Sequence, residues 1–125
     1  MALNLYIYSG LGNIIAIVDS VREDISLDAE DVLNLHNNKS ISFDQLIQVL
    51  PPQDPENDFD VEIYNNDGST ASNCINGARC VAKFIEDHSL SVSKQLKVNT
   101  IGGIWRLESM SEENYSATFL LSDVI

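Results

Sequence analysis

The spacing of apolar residues predicts strands along most of the chain. Leu3–Tyr8 alternates apolar positions with a period of two, and Phe59–Tyr64 does the same. Ile14–Val18 is an unbroken, mostly β-branched run that Asp19 closes, which indicates a buried strand. Further strands are predicted at Phe43–Leu50, Lys97–Thr100, Ile104–Met110 and Tyr115–Leu121.

Two segments have the period of a helix instead. Ser26–His36 carries three acidic residues near its start, where the helix dipole favours negative charge. Gly77–His88 places small and apolar residues at positions i, i+3, i+4 and i+7, beginning at Ala78, as in an amphipathic helix. About seven strands around one small-residue helix predict an α+β domain whose sheet is mostly antiparallel.

Turn and loop residues separate these elements. Gly10-Leu11-Gly12-Asn13 lies between the first two predicted strands and predicts a hairpin. Three prolines and three acidic residues make Pro51–Asp58 a loop. Asp67-Gly68 is a strong turn signal after the strand at Phe59–Tyr64.

Length and charge narrow the function. A chain of 125 residues with 44% apolar residues suits one domain with a real core. Nineteen acidic and seven basic residues give a net charge of −12, which disfavours nucleic acid and anionic membranes as partners. The longest apolar run has five residues and the N-terminus lacks the features of a signal peptide, so we expect a cytoplasmic protein.

The two cysteines differ in their surroundings. Cys74 stands just before the Asn76-Gly77 helix start, where free N–H groups and the helix dipole favour a thiolate and can hold a carboxylate. Cys80 lies inside the predicted helix, and we expect a buried packing role for it. For any two cysteines, ordinary burial is the default interpretation. Their spacing is no zinc signature, so no metal site is expected.

Five motifs in order resemble the diaminopimelate epimerase family, and they cover nearly the whole chain. Each motif is weak alone, but their shared order is specific. They are Gly10-Leu11-Gly12-Asn13, Phe43-Asp44-Gln45-Leu46, Asp54-Pro55-Glu56 with Asp58-Phe59, Tyr64-Asn65-Asn66-Asp67-Gly68-Ser69, and Cys74-Ile75-Asn76-Gly77-Ala78-Arg79-Cys80.

The resemblance implies the fold and the site. Residues 1–125 would form the N-terminal lobe of a two-lobed fold in which a mostly antiparallel sheet wraps around a central helix. The enzyme would need no cofactor, and Cys74 would be one of its two catalytic thiols. Three side-chain amides and two backbone N–H groups would bind the substrate; the amides belong to Asn13, Gln45 and Asn65, and the N–H groups to Ile75 and Asn76.

The reaction of the family interconverts LL- and meso-diaminopimelate, in lysine and peptidoglycan synthesis. Inversion at a carbon needs an acid and a base on opposite faces. Cys80 shares a helix with Cys74, so the second thiol is expected from a C-terminal lobe absent from this chain. The isolated chain should then be inactive, and its uncovered face would favour self-association.

Two other interpretations stay open. Ile75 replaces a glycine of the family pattern, which favours an epimerase or racemase of another amino acid. The chain could also be a binding module that keeps the fold without the chemistry.

Overall fold

The structure is a computed structural model that describes residues 3–10, 12–37, 42–71, 75–109 and 115–119. It contains two helices within these residues, α1 (Ala29–Asn37) and α2 (Ile75–Asp87). The strands in chain order are β1 (Tyr6–Gly10), β2 (Asn13–Asp19), β3 (Gln45–Leu50), β4 (Phe59–Asn65), β5 (Thr70–Ala71), β6 (Gln95–Thr100), β7 (Gly103–Ser109) and β8 (Tyr115–Phe119).

The strands form one mixed sheet in the order β1-β2-β3-β4-β6-β7-β8, and the short β5 pairs with β4. Five of the seven pairings are antiparallel, as predicted; β2 with β3 and β4 with β6 are parallel. Each parallel pair is joined by a crossover that contains a helix, α1 for the first and α2 for the second. The predicted α+β class is therefore confirmed.

The central strands are buried on both faces. On β2, Ile15 and Ile17 belong to the core that packs against α2, whereas Ala16 and Val18 belong to a second core that includes Val32 of α1. This double burial explains why Ile15–Val18 is an apolar run without alternation. The predicted buried strand is confirmed except at Ile14, which is 38% exposed.

The sheet curls around α2. This helix contacts β1 and β2 at one end of the strand order and β7 and β8 at the other. The spacing pattern that begins at Ala78 is confirmed, since each of its four residues is at most 2% exposed. Cys80 is also buried, as predicted. Among the described residues, no helix combines the length and apolar character that crossing a bilayer requires.

α1 begins later than predicted because Asp28 caps it. The Asp31 N–H donates to Asp28 Oδ1 at 2.8 Å, and the Asp28 N–H donates to Asp31 Oδ2 at 3.0 Å. This reciprocal capping box satisfies two N–H groups that a helix start leaves free. The predicted helix from Ser26 therefore starts at Ala29.

Candidate functional site

Three predicted site residues lie at one end of neighbouring strands. Asn13 is the first residue of β2, Gln45 is the first of β3, and Asn65 is the last of β4. Gln45 pairs directly with Asn65, and its other neighbour is Ile15 of β2. Asn13 lies two residues beyond Ile15, or about 6.6 Å along the strand. The sheet therefore gathers three amides that are far apart in sequence.

All three amides belong to the face of the sheet that packs against α2. Asn13, Gln45 and Asn65 each stand two residues from an isoleucine of the α2 core, namely Ile15, Ile47 and Ile63. Successive side chains of a strand point to opposite faces, so residues two apart share a face. Tyr64, next to Asn65, packs in the opposite core, as this alternation requires. The amides thus extend the face that contacts α2.

Hydrogen bonds connect two of these amides to the turn after β4. Gln45 Nε2 donates to Asn65 Oδ1 at 3.1 Å, and Asn65 Nδ2 donates to Ser69 Oγ at 3.1 Å. The Ser69 hydroxyl donates to Asp67 Oδ1 at 2.5 Å. The Asn13 side chain has no hydrogen bond to any residue that the structure describes. Among the described residues, the site therefore combines an amide pair linked to the turn with a third amide outside this network.

The turn that holds Asn65 is closed by its backbone. The Asn65 N–H donates to the Ser69 carbonyl at 2.8 Å, and the Gly68 N–H donates to the Asn65 carbonyl at 3.0 Å. Gly68 has a φ of +88°, a conformation in which glycine is favoured. Asp67 Oδ1 also accepts the Ser69 N–H at 2.9 Å. Hydrogen bonds from the Ser69 hydroxyl and N–H hold the pKa of Asp67 below its usual value.

Asp67 and Ser69 belong to the hydrogen-bond network of the predicted site, a connection that the sequence analysis did not assign. It treated Asp67-Gly68 as a turn signal and included both residues in a family motif, but it gave neither side chain a role in the site. The available signal was an aspartate two residues before a serine, because an aspartate often accepts the N–H two residues on. This pattern alone does not reveal that the serine hydroxyl reaches the Asn65 amide.

Asp44 ties the starts of β2 and β3 together. Its carboxylate accepts the Ile14 N–H at 2.7 Å, and its own N–H donates to the Ile14 carbonyl at 2.9 Å. Asn13 and Gln45 are the chain neighbours of these two residues. Asp44 therefore fixes how the starts of β2 and β3 align, and with them the positions of the Asn13 and Gln45 amides along the strands. The sequence analysis did not assign this role.

The start of α2 is the remaining described part of the predicted site. Ile75 and Asn76 occupy its first turn, where the N–H groups have no partner within the helix. The first turn carries no acidic residue, so no carboxylate side chain of that turn offsets the positive end of the helix dipole. Ala71 of β5 pairs with Ile63. Ile75 is four positions after Ala71, so their Cα atoms are at most about 14 Å apart. The first turn of α2 is therefore tethered near the strand that carries Asn65.

The other end of α2 is anchored on β1. The Tyr8 hydroxyl donates to Asp87 Oδ2 at 2.9 Å, and Lys83 pairs with the other oxygen of Asp87 at 3.4 Å. The rings of Tyr6 and Phe84 pack with their centroids 5.3 Å apart. Burial and the Asp87 carboxylate raise the pKa of Tyr8. These contacts hold the helix against the sheet that carries the amides.

Cys74, the predicted catalytic thiol, lies outside the described residues. It immediately precedes Ile75, so its place before the start of α2 follows from the sequence and the helix bounds. Cys80 is 6% exposed, which fits its predicted packing role.

Comparison with known proteins agrees with the motifs. The family model described as diaminopimelate epimerase matches residues 5–121. The diaminopimelate epimerase of Laribacter hongkongensis is 43% identical over 105 residues, which are 83% of this chain and 38% of that protein. The diaminopimelate epimerase of Chromobacterium violaceum is 42% identical over 96 residues, 76% of this chain and 35% of the relative. The chain thus spans less than half the length of these relatives.

Solved structures share the fold at lower identity. A phenazine biosynthesis protein of the PhzF family from Bacillus anthracis matches 92% of this chain with a TM-score of 0.70 and 17% identity, and the match covers 39% of that protein. A methylitaconate-delta-isomerase matches 81% with a TM-score of 0.59 and 15% identity, and 33% of it is covered. These identities support the fold alone. The match over residues 5–121 confirms the resemblance inferred from the motifs: the chain belongs to the diaminopimelate epimerase family.

Proposed function

We propose that this chain is the N-terminal lobe of a cofactor-independent epimerase that interconverts LL- and meso-diaminopimelate. The observation that carries the proposal is the placement of Asn13, Gln45 and Asn65 on one face, at one end of three adjacent strands. The chain matches the family model over nearly its whole length, and relatives named diaminopimelate epimerase are more than 40% identical to it.

The groups at this site suit a zwitterionic amino acid. A side-chain amide offers both donors and an acceptor, so it can bind an ammonium group or a carboxylate. The N–H groups of Ile75 and Asn76 would bind the carboxylate of the substrate at the positive end of α2. Those hydrogen bonds would also stabilise the negative charge that develops when the α-proton leaves.

The chemistry requires two thiols. One thiolate removes the α-proton from one face of the substrate, and a thiol on the opposite face delivers its proton to the resulting carbanion. The configuration inverts, one thiol and one thiolate remain, and no electrons are exchanged. Cys74 would supply one of these groups, with its pKa lowered by the start of α2.

The second thiol belongs to a C-terminal lobe in this proposal. Cys80 is buried in α2 and follows Cys74 by only six residues in the sequence, so we do not assign it the group on the opposite face of the same substrate. The relatives are much longer than the region matched here, since only 35–38% of their length is covered. A lobe that packs against the amide-bearing end would complete the site.

The cellular setting follows from this activity. The enzyme would act in the cytoplasm, in the synthesis of lysine and of peptidoglycan precursors. Without its second lobe the chain would expose an apolar surface, so self-association at that surface is part of the proposal.

Ile75 supports one alternative substrate class. It takes the place of a glycine in the family pattern, and a β-branched residue beside the carboxylate site would narrow the space for a substrate. An epimerase or racemase of a different amino acid is therefore the second candidate. A binding module without chemistry is the third, and it requires an unreactive Cys74.

The test is α-proton exchange in D₂O. The purified chain would be incubated with LL-diaminopimelate, alone and together with the C-terminal lobe of a related epimerase. We expect deuterium at the α-carbon only when both lobes are present, and Cys74→Ala should abolish it. Exchange of another amino acid in its place would favour the second candidate, and no exchange of any substrate would contradict both enzyme hypotheses.

Thiol reactivity separates the enzyme from the binding module. Brief iodoacetamide treatment at neutral pH, followed by mass spectrometry, should label Cys74 and leave the buried Cys80 unmodified. Preferential labelling of Cys80 would contradict the assignment of the catalytic thiol.

A further inference from the structure

We propose that Asp67 is a positioning residue that fixes the orientation of the Asn65 and Gln45 amides through the Ser69 hydroxyl. This inference rests on the proposed function only for its effect on catalysis. Its structural part concerns hydrogen bonds within the described residues and can be tested without substrate.

The direction of the hydrogen bonds follows from the chemistry of Asp67. An ionised carboxylate can only accept, so the Ser69 hydroxyl must donate its single hydrogen across the 2.5 Å contact to Asp67 Oδ1. The Ser69 oxygen is then left as an acceptor for its other neighbour. Asn65 must therefore direct its nitrogen towards Ser69. In the structure, Asn65 Nδ2 donates to Ser69 Oγ at 3.1 Å.

The same constraint passes on to Gln45. With Nδ2 of Asn65 facing Ser69, its Oδ1 faces Gln45 and accepts from Nε2 at 3.1 Å. The carboxylate thus determines which atom of the Asn65 amide faces Ser69 and which faces Gln45. Without that carboxylate, the Ser69 hydroxyl could donate to Asn65, and the Asn65 amide could rotate by half a turn with little change in shape.

Asp67 is well placed for this role because the turn holds it firmly. Its Oδ1 accepts the Ser69 N–H as well as the hydroxyl, so two donors converge on one oxygen. The lowered pKa of Asp67 keeps the carboxyl ionised, and hence an acceptor only, at neutral pH.

Alanine is the informative replacement at Asp67. Asp67→Ala removes the acceptor of the Ser69 hydroxyl, which could then donate to Asn65; asparagine would not do this, because its Oδ1 could still accept both Ser69 groups. Asp54→Ala is the matched control, because Asp54 Oδ1 accepts the N–H of Glu56, two residues on, at 2.9 Å in the same kind of turn. Asp54 has no hydrogen bond to the amides, so the control removes a turn acceptor without changing the chain of donors.

The structural test is side-chain amide NMR of the ¹⁵N-labelled chain. We expect Asp67→Ala and Ser69→Ala to shift the side-chain NH₂ resonances of Asn65 and Gln45, and Ser69→Thr, which keeps the hydroxyl, to preserve them. Asp54→Ala should leave both resonances in place. Unchanged Asn65 and Gln45 resonances in both disruptive variants would overturn the proposal, as would equal shifts in the control.

The catalytic test uses the same variants in the two-lobed enzyme. Loss of one orienting hydrogen bond should lower kcat/KM about fivefold in Asp67→Ala and Ser69→Ala. Activity should recover in Ser69→Thr and stay within about twofold of wild type in Asp54→Ala. In an Asn65→Ala background Asp67→Ala should have no further effect, because Asp67 acts through Asn65.

The two tests fail separately. A wild-type enzyme that does not exchange the α-proton of diaminopimelate would contradict the proposed function, whereas the NMR comparison would still decide the role of Asp67. An active wild type whose Asp67→Ala variant keeps full kcat/KM would overturn the positioning role alone.

Discussion

Replacing Gly68 with alanine tests the packing that supports the site. Gly68 has a φ of +88°, and a Cβ built on it would lie 2.5 Å from the carbonyl oxygen of Ala29, the first residue of α1. Ordinary contact begins at 3.4 Å, so the turn or the start of α1 must move by about 0.9 Å. The obstacle is backbone, which cannot rotate away as a side-chain tip would.

The cost has two parts. An L-residue in the left-handed region costs about 1–2 kcal/mol. Forcing extra volume into a packed contact typically costs another 1–3 kcal/mol. Their sum is about 2–5 kcal/mol, which corresponds to a fall in Tm of roughly 8–20 °C for a domain of this size.

Gly12→Ala is the matched control. Gly12 has a φ of +87°, but a Cβ built there has nothing within 4 Å. This variant should therefore lose only the conformational part, about 1–2 kcal/mol. The difference between the two variants isolates the contact with Ala29.

Urea unfolding of the purified chain, followed by far-UV circular dichroism, gives the free energy of unfolding for each variant. We expect Gly68→Ala to be less stable than Gly12→Ala by at least about 1 kcal/mol. Equal losses in the two variants would refute the close approach of the turn to α1, and with it the described support for Asn65.

The remaining predictions concern the core, the cap and the pH dependence. Phe84→Ala should cost about 3–5 kcal/mol because Phe84 is 0% exposed, whereas Val92→Ala, at a fully exposed position, should stay within about 0.5 kcal/mol of wild type in the same unfolding assay. Asp28→Ala should lower stability by about 1 kcal/mol, read from the urea midpoint, because it removes the cap of α1. Burial raises the pKa of Asp19, but hydrogen bonds from Arg22 outweigh it and hold this pKa below its ordinary value. The contribution of Asp19 is therefore present above its unfolded pKa of about 3.9 and is lost as the pH falls below it. Asp19→Asn should accordingly lower the Tm at pH 7, and its difference from wild type should shrink in thermal scans below about pH 4.

The spacing of apolar residues predicted most elements because the buried side chains of one helix or strand lie within a short segment of the sequence. The helical spacing from Ala78 and the unbroken run Ile14–Val18 both correspond to described elements with the expected burial, apart from the exposed Ile14. The β1–β2 hairpin was also predicted and is confirmed. In each case the side chains that face a core are close in sequence, so their period is visible.

The boundaries of the elements depend on strand pairing, which the periodicity of apolar residues does not reveal. The first strand was predicted at Leu3–Tyr8 but runs over Tyr6–Gly10, because its register pairs Gly10 with Asn13 and draws the turn residues into the ladder. Leu3 and Leu5 instead pack on the core next to α1. Strand β5 was missed because a pairing of two residues has too little sequence to show a period.

The site also has features that the local sequence predicts and features that depend on contacts between distant segments. Residue types and motif order indicated the amides at positions 13, 45 and 65, but only the sheet register places them on one face and one end. The link from Asp67 to Gln45 depends on hydrogen bonds between segments about twenty residues apart, and no local pattern records such contacts. The parallel pairing of β2 with β3, which brings Asn13 near Gln45, was not predicted either.

The central claim is that the amide-bearing end of the sheet binds the substrate, and kcat/KM for diaminopimelate epimerisation in the two-lobed enzyme tests it most directly. Asn65→Ala would be compared with Asn57→Ala, the same change in the loop between β3 and β4. Asn65→Ala should lower kcat/KM by roughly 10- to 100-fold, since hydrogen bonds to charged groups are worth about 1.5–3 kcal/mol. Asn57→Ala should remain within about twofold of wild type. Equal effects of the two substitutions would contradict the location of the site.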